Sequence, residues 1–259
     1  MKKFTKLTAF ALALVMALGL LAGCGSSNSD NSTPSGDDTA KTKLVVATSP
    51  DFPPFESLEG GEVVGIEVDI LNKIAEKMGM ELDIQQMDFD SVIPGVQAGK
   101  FDVGMSGITV TDKRKENVDF SSVYFMAAQA IVVTDGSSIT GKADLEGKKV
   151  SVQTGTTAEE YCMGNGYEVL AFTANNDAAA ALTSGKVDAW VVDNEVALAM
   201  APELGLTVLD EAMTSEPYAF AFQKGSELVA PFNEALDALL ADGTVEKIFQ
   251  QYGVTYIAP

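Results

Sequence analysis

The sequence predicts an α/β fold built as two lobes that the chain enters and leaves through two crossings. Three features predict it. Strand-like and helix-like patterns alternate in two successive series, which implies largely parallel sheets flanked by helices. Two extended stretches, 125–134 and 218–222, separate the first series from the second and the second from the C-terminus. Two amphipathic segments are left over at the end, as they would be if the chain returned to the lobe in which it began. The expected first lobe is 43–127 with 219–259, the second is 128–218, and the two crossings form a hinge.

Each element has its own signal. In the first series 43–48 is a β run, and 65–79 has helical periodicity in Ile66, Val68, Ile70, Leu71, Ile74 and Met78. Residues 81–87 alternate, Asp90-Ser91 opens a helix, 101–105 is a short apolar strand, and Thr111-Asp112 opens a short helix over 111–117. The second series gives strands at 149–152, 168–172, 187–192 and 206–209. Helices are expected at 156–163 and 176–184 and from Asn194. The closing helices are 227–241 and 245–252. The two series share their order but not their sequence, so no internal repeat is present. Ligands of open α/β sheets sit beyond the carboxyl ends of strands, which singles out Thr48-Ser49, Met87-Asp88-Phe89, Ser106-Gly107, Gln153 to Thr156, and Asp193.

The N-terminus carries a second kind of information. Basic residues at Lys2, Lys3 and Lys6 precede an apolar stretch over 7–22, the pattern of an export signal and short for a membrane span. Leu21-Ala22-Gly23-Cys24 resembles the lipobox of bacterial lipoproteins, which implies a signal peptide over 1–23, cleavage before Cys24 and a diacylglyceryl group on that cysteine. Residues 24–42 are rich in Ser, Asn, Asp, Gly and Thr and read as a flexible tether. Two acyl chains hold a protein to a membrane firmly where one holds it only marginally, so the expected location is extracytoplasmic and lipid-anchored.

Composition excludes several functions. Three of the 17 basic residues precede Cys24, leaving 14 against 37 acidic residues and a net charge of −23 on the processed chain. Nucleic acid is not expected as a partner, and an anionic ligand would not be steered in by the field. There is no histidine, which removes the commonest metal ligand, the commonest general base and every Ser-His or Cys-His nucleophile. No metal and no cofactor are expected. With Cys24 assigned to lipid, Cys162 has no disulfide partner and reads as a small buried apolar residue or an inert thiol.

The segment from Met105 to Ser122 reads as a carboxylate trap. Small and hydroxyl residues end a strand, and a helix opening at Thr111-Asp112 carries Arg114 in its first turn. Unpaired amides and the helix dipole favour an anion there, and an arginine fork adds two parallel hydrogen bonds to a planar carboxylate. Taken alone, Lys113, Arg114 and Lys115 also fit three solvated charges on a helix face.

Several blocks together resemble the extracytoplasmic amino-acid-binding proteins of ABC importers (solute-binding family 3, polar amino acid type) over 43–253. They are Pro53-Pro54-Phe55-Glu56, Gly65 to Ile70, Phe101-Asp102-Val103, Gly107 to Arg114, Gly155-Thr156-Thr157, and the Asp242-Gly243-Thr244 turn. The resemblance implies a two-lobed type II periplasmic-binding fold with a two-crossing hinge. It also implies a free amino acid between the lobes, delivery to ABC permease subunits, and a monomer. In that family's pattern Arg114 would hold the ligand carboxylate with Thr109 and the backbone at Gly107, and Ser106, at the same strand end, is also expected to bind ligand. Asp193 would take the ammonium and Thr157 would add a hydrogen bond to the carboxylate. A zwitterion leaving water needs one fixed partner of each sign, which agrees with that assignment. Asp193 also fits a helix N-cap, and Trp190, three residues earlier on a strand, fits the core.

Phe52 and Phe89 match positions that wall the ligand side chain, with an ordinary core role as the alternative, and Phe55 fits the core. Ser49 stands where relatives selecting cationic side chains often carry an acid, which points to an amino acid with a neutral or polar side chain. Gln153 would read a polar side chain or face solvent. The competing class is a cyclohexadienyl or arogenate dehydratase-like enzyme on the same fold. Its acid or base would have to come from Asp193, Glu56 or Asp51.

Overall fold

The structure, a computed structural model, describes residues 42–259; the expected signal peptide, Cys24 and all but the last residue of the tether lie outside the described residues. Two five-stranded sheets organise the chain. The first has the order Glu81–Gln86, Lys43–Thr48, Val103–Gly104, Ala221–Gln223, Val118–Phe120. The second has the order Glu168–Phe172, Lys149–Gln153, Ala189–Asp193, Gln129–Thr134, Leu206–Val208.

Both sheets are mixed, where largely parallel ones were expected. Their first three strands are parallel, but Ala221–Gln223 and Gln129–Thr134 each run antiparallel to both neighbours. These are the strands that follow the crossings. A chain that arrives from the other sheet without a crossover helix enters in the opposite sense, so the parallel rule for βαβ units does not apply to it. The extended stretches are themselves divided. Phe125–Ala127 pairs antiparallel with Glu216–Tyr218 as a two-stranded ribbon, and only beyond it do Gln129–Thr134 and Ala221–Gln223 join the large sheets.

Helix Ile66–Met78 buries Ile66, Val68, Ile70, Leu71 and Ile74 at the expected spacing and ends at Gly79, whose φ of 66° closes a left-handed C-cap. The C-terminal helices Val229–Ala241 and Thr244–Gln251 pack on it, so the leftover helices do return to the beginning of the fold. A small antiparallel sheet of Asp51–Phe52, Glu56–Glu59 and Glu62–Val64, absent from the sequence reading, folds the loop after the first strand back over that helix. Its strands are two to four residues long, too short to show periodicity. Trp190 is fully buried in the core, as is the free thiol of Cys162, whose pKa burial pushes up to about 12. Such a thiol is inert at neutral pH. No helix among the described residues is long and apolar enough to cross a membrane.

Candidate functional site

Strand Val103–Gly104 delivers the chain to a tight loop in which Gly107 adopts φ 52°. A Cβ there would lie 2.4 Å from the Phe52 ring, so only glycine lets the loop approach that ring. Helix Asp112–Lys115 follows, and Thr111 caps it by accepting the Arg114 N–H at 3.1 Å. The Arg114 guanidinium then folds back. It donates to the Thr109 carbonyl at 2.9 Å and, across the cleft, to the Gly155 carbonyl at 3.1 Å, and it sits 5.6 Å from the centroid of the Phe89 ring. Two of its five N–H groups are thus used to orient it. Burial lowers its pKa from the usual arginine value, while Glu160, Glu216 and Asp193 act to raise it.

Asp193 ends a strand of the second sheet and occupies the N-cap position of helix Asn194–Leu204, yet its side chain does not cap that helix. Instead Oδ1 accepts from Gln129 Nε2 at 3.1 Å. The same amide nitrogen reaches Thr157 Oγ1, in the first turn of helix Thr157–Gly164, at 3.2 Å and so ties two of the predicted ligand groups together. Burial, then the Glu216 carboxylate, pushes the Asp193 pKa up to about 7. Gln129, Arg114 and the Tyr218 hydroxyl oppose the rise, the last from a position short of a formed hydrogen bond.

Phe52, Phe89, Ser106, Gly107, Thr109, Arg114, Gln153, Thr157 and Asp193, with Thr156, line one narrow, nearly filled cleft between the carboxyl ends of the two sheets. Nine of the ten residues expected to bind ligand therefore converge. Ser49 does not line the cleft: its hydroxyl donates to Asp51 at 3.0 Å and its N–H to Ser106 Oγ at 2.8 Å. The Gly107 N–H, expected to face a carboxylate, is donated to buried Glu67 at 2.9 Å. Tyr124 donates to the other oxygen of the same carboxylate. Phe55 is in the core, where its ring meets those of Phe52, Phe125, Tyr218 and Phe249.

Gln129 and Glu216 were not singled out from sequence, and Asp51 was named there only as a candidate acid or base. A signal for Gln129 existed, because a lone polar residue inside the apolar run 127–133 has to find partners when buried. Among the described residues no group of three or more His, Cys, Asp or Glu is arranged to hold a metal.

Two sheets facing one cleft, lined by a guanidinium from one side and a carboxylate from the other, define a protein of the two-lobed solute-binding class. Residues 44–255 match the model of the bacterial extracellular solute-binding proteins, family 3, and the chain belongs to that family. The arginine-binding extracellular protein ArtP of Bacillus subtilis (strain 168) is 35% identical over 240 residues, covering 90% of this chain and 92% of that one. A solved ancestral arginine-binding protein bound to glutamine is 42% identical with a TM-score of 0.78, over 82% of this chain and 98% of that one. The ancestral amino acid-binding protein AncCDT-1, a precursor of cyclohexadienyl dehydratase, is 35% identical with a TM-score of 0.76, over 82% and 95%.

Proposed function

We propose that this chain closes its lobes, 43–127 with 219–259 against 128–218, over a free amino acid and delivers it as a monomer to the permease subunits of an ABC importer. The observation that carries the reading is that Arg114, on the helix after a strand of the first sheet, and Asp193, at the end of a strand of the second, line one cleft. Arg114 takes the α-carboxylate, helped by Thr109 and Thr157, and Asp193 takes the α-ammonium. Each charge of the zwitterion leaves water for an opposite charge, which offsets the desolvation that would otherwise forbid its burial. Closing then gives the permease a shape that differs between empty and loaded states.

The ligand's side chain is neutral or polar and contacts Phe52, Phe89 and Gln153. Names of relatives make L-glutamine and L-arginine the first two probes. Export through residues 1–23 and diacylation of Cys24 would keep the protein at the outer face of the cell membrane.

Calorimetry on Arg114→Ala is the direct test. The expected result is loss of measurable binding with the melting temperature of the empty protein unchanged; an unaltered affinity would remove Arg114 from the site. The similarity to a dehydratase precursor keeps one enzymatic reading in view, because an aspartate whose pKa lies near 7 is able to exchange protons. Turnover of prephenate or arogenate would establish it, whereas a binding protein returns its ligand unchanged.

A further inference from the structure

Helix Asn175–Thr183 begins without a capping side chain of its own, since its N-cap position is Ala174. Its first N–H is nevertheless satisfied. Asn175 donates 2.7 Å to Oδ2 of Asp51, a residue 124 positions away that follows the central strand of the other sheet's parallel trio. The same carboxylate accepts from Gln153 Nε2 at 3.2 and 3.4 Å and from the Ser49 hydroxyl at 3.0 Å. Gln153 completes the arrangement by donating to the Thr173 carbonyl at 3.1 Å and accepting from Asn175 Nδ2 at 2.9 Å. An acceptor-only carboxylate fixes which end of the Gln153 amide faces it.

We infer that Asp51 is a positioning residue that latches the closed cleft. It does so by capping a helix of the opposite lobe and setting the orientation of Gln153. Each partner from the second lobe is lost when the lobes part, so the latch acts on the closed state, empty or loaded, and governs escape of the ligand rather than its capture. Its bonds are charge-assisted and end at a helix N-terminus, the two circumstances in which a carboxylate gains most. This inference rests on the amino-acid-binding reading given above.

Stopped-flow kinetics with L-glutamine and L-arginine tests it. Asp51→Ala should release a bound amino acid faster by about ten-fold or more, with association changed by less than about two-fold. A merely structural role is separated by adding Ala174→Asp, which restores a cap within the helix's own lobe at a backbone conformation (φ −115°, ψ 146°) suited to it. The double variant should regain any lost melting temperature while release stays fast. Release at the wild-type rate in Asp51→Ala, or restored by Ala174→Asp, would overturn the latch. If the wild type bound no amino acid, the functional reading alone would fail. The latch would then be read from X-ray scattering of the empty protein: a larger radius of gyration in Asp51→Ala supports it and equal radii overturn it.

Discussion

Lowering the pH should weaken amino-acid binding, and Asp193 should be the cause. An α-ammonium pairs only with the ionised carboxylate, and in the empty, closed cleft burial together with Glu216 holds that carboxyl at a pKa of about 7. Below this value the ligand has to displace a proton, so affinity should fall about ten-fold for each further pH unit, or ~1.4 kcal/mol. Binding near pH 5.5 should release close to one proton. Titrations in two buffers of different ionisation enthalpy, repeated between pH 5 and 8, measure both quantities. In Asp193→Asn the slope should vanish, and affinity at pH 8 should drop by roughly 2–5 kcal/mol because the ammonium is buried without its counter-charge. Equal affinities at pH 5.5 and 8 in the wild type would refute the reasoning, as would a slope that survives in Asp193→Asn.

The empty protein should show the opposite sensitivity in its stability. Asp193 and Glu56 both hold a proton more tightly when folded than when unfolded, Glu56 because burial and then the neighbouring Glu67 push its pKa well above the carboxylate range. Native protein therefore binds more protons, and stability is lost as pH rises from about 4 through the folded pKa values. Melting temperature should be higher at pH 5 than at pH 8, and Glu56→Gln, neutral throughout, should flatten part of that decline; an unchanged profile would show that Glu56 is not protonated in the fold. Gly107→Ala should lose about 1–3 kcal/mol in denaturant titration, since the new methyl meets Phe52 and the backbone φ of 52° is strained for alanine. Binding should weaken with it, because the same loop leads into Thr109; wild-type stability would show that the loop moves aside freely.

The sequence exposed what depends on local pattern. Helix Ile66–Met78 could be read from six apolar positions, and the motif over 105–122 carried its chemistry within a short span, so Thr111, Thr109 and Arg114 were found together. Pairings over long separations left weaker traces. Ser49 was assigned to the ligand, but its hydroxyl turns to Asp51, two residues on, and that carboxylate meets Gln153 and Asn175 from more than a hundred positions away. The Gly107 amide likewise looked free until Glu67, 40 positions earlier, was seen to occupy it. Strand sense at the crossings escaped for a similar reason: extended residues look alike whichever direction they run, and only the three-dimensional return path decides.

That return path also sets the order in which the protein can be made. Ala221–Gln223 lies inside the first sheet, between Val103–Gly104 and Val118–Phe120, although it is synthesised about a hundred residues after them. The second sheet draws all its strands from 129–208 and has them all sooner. A nascent chain stopped near residue 215 would hold every strand of the second sheet while the first stayed split, its Val118–Phe120 strand without a neighbour. The half that begins the chain is thus the last to be finished, and ligand capture waits for nearly the entire polypeptide.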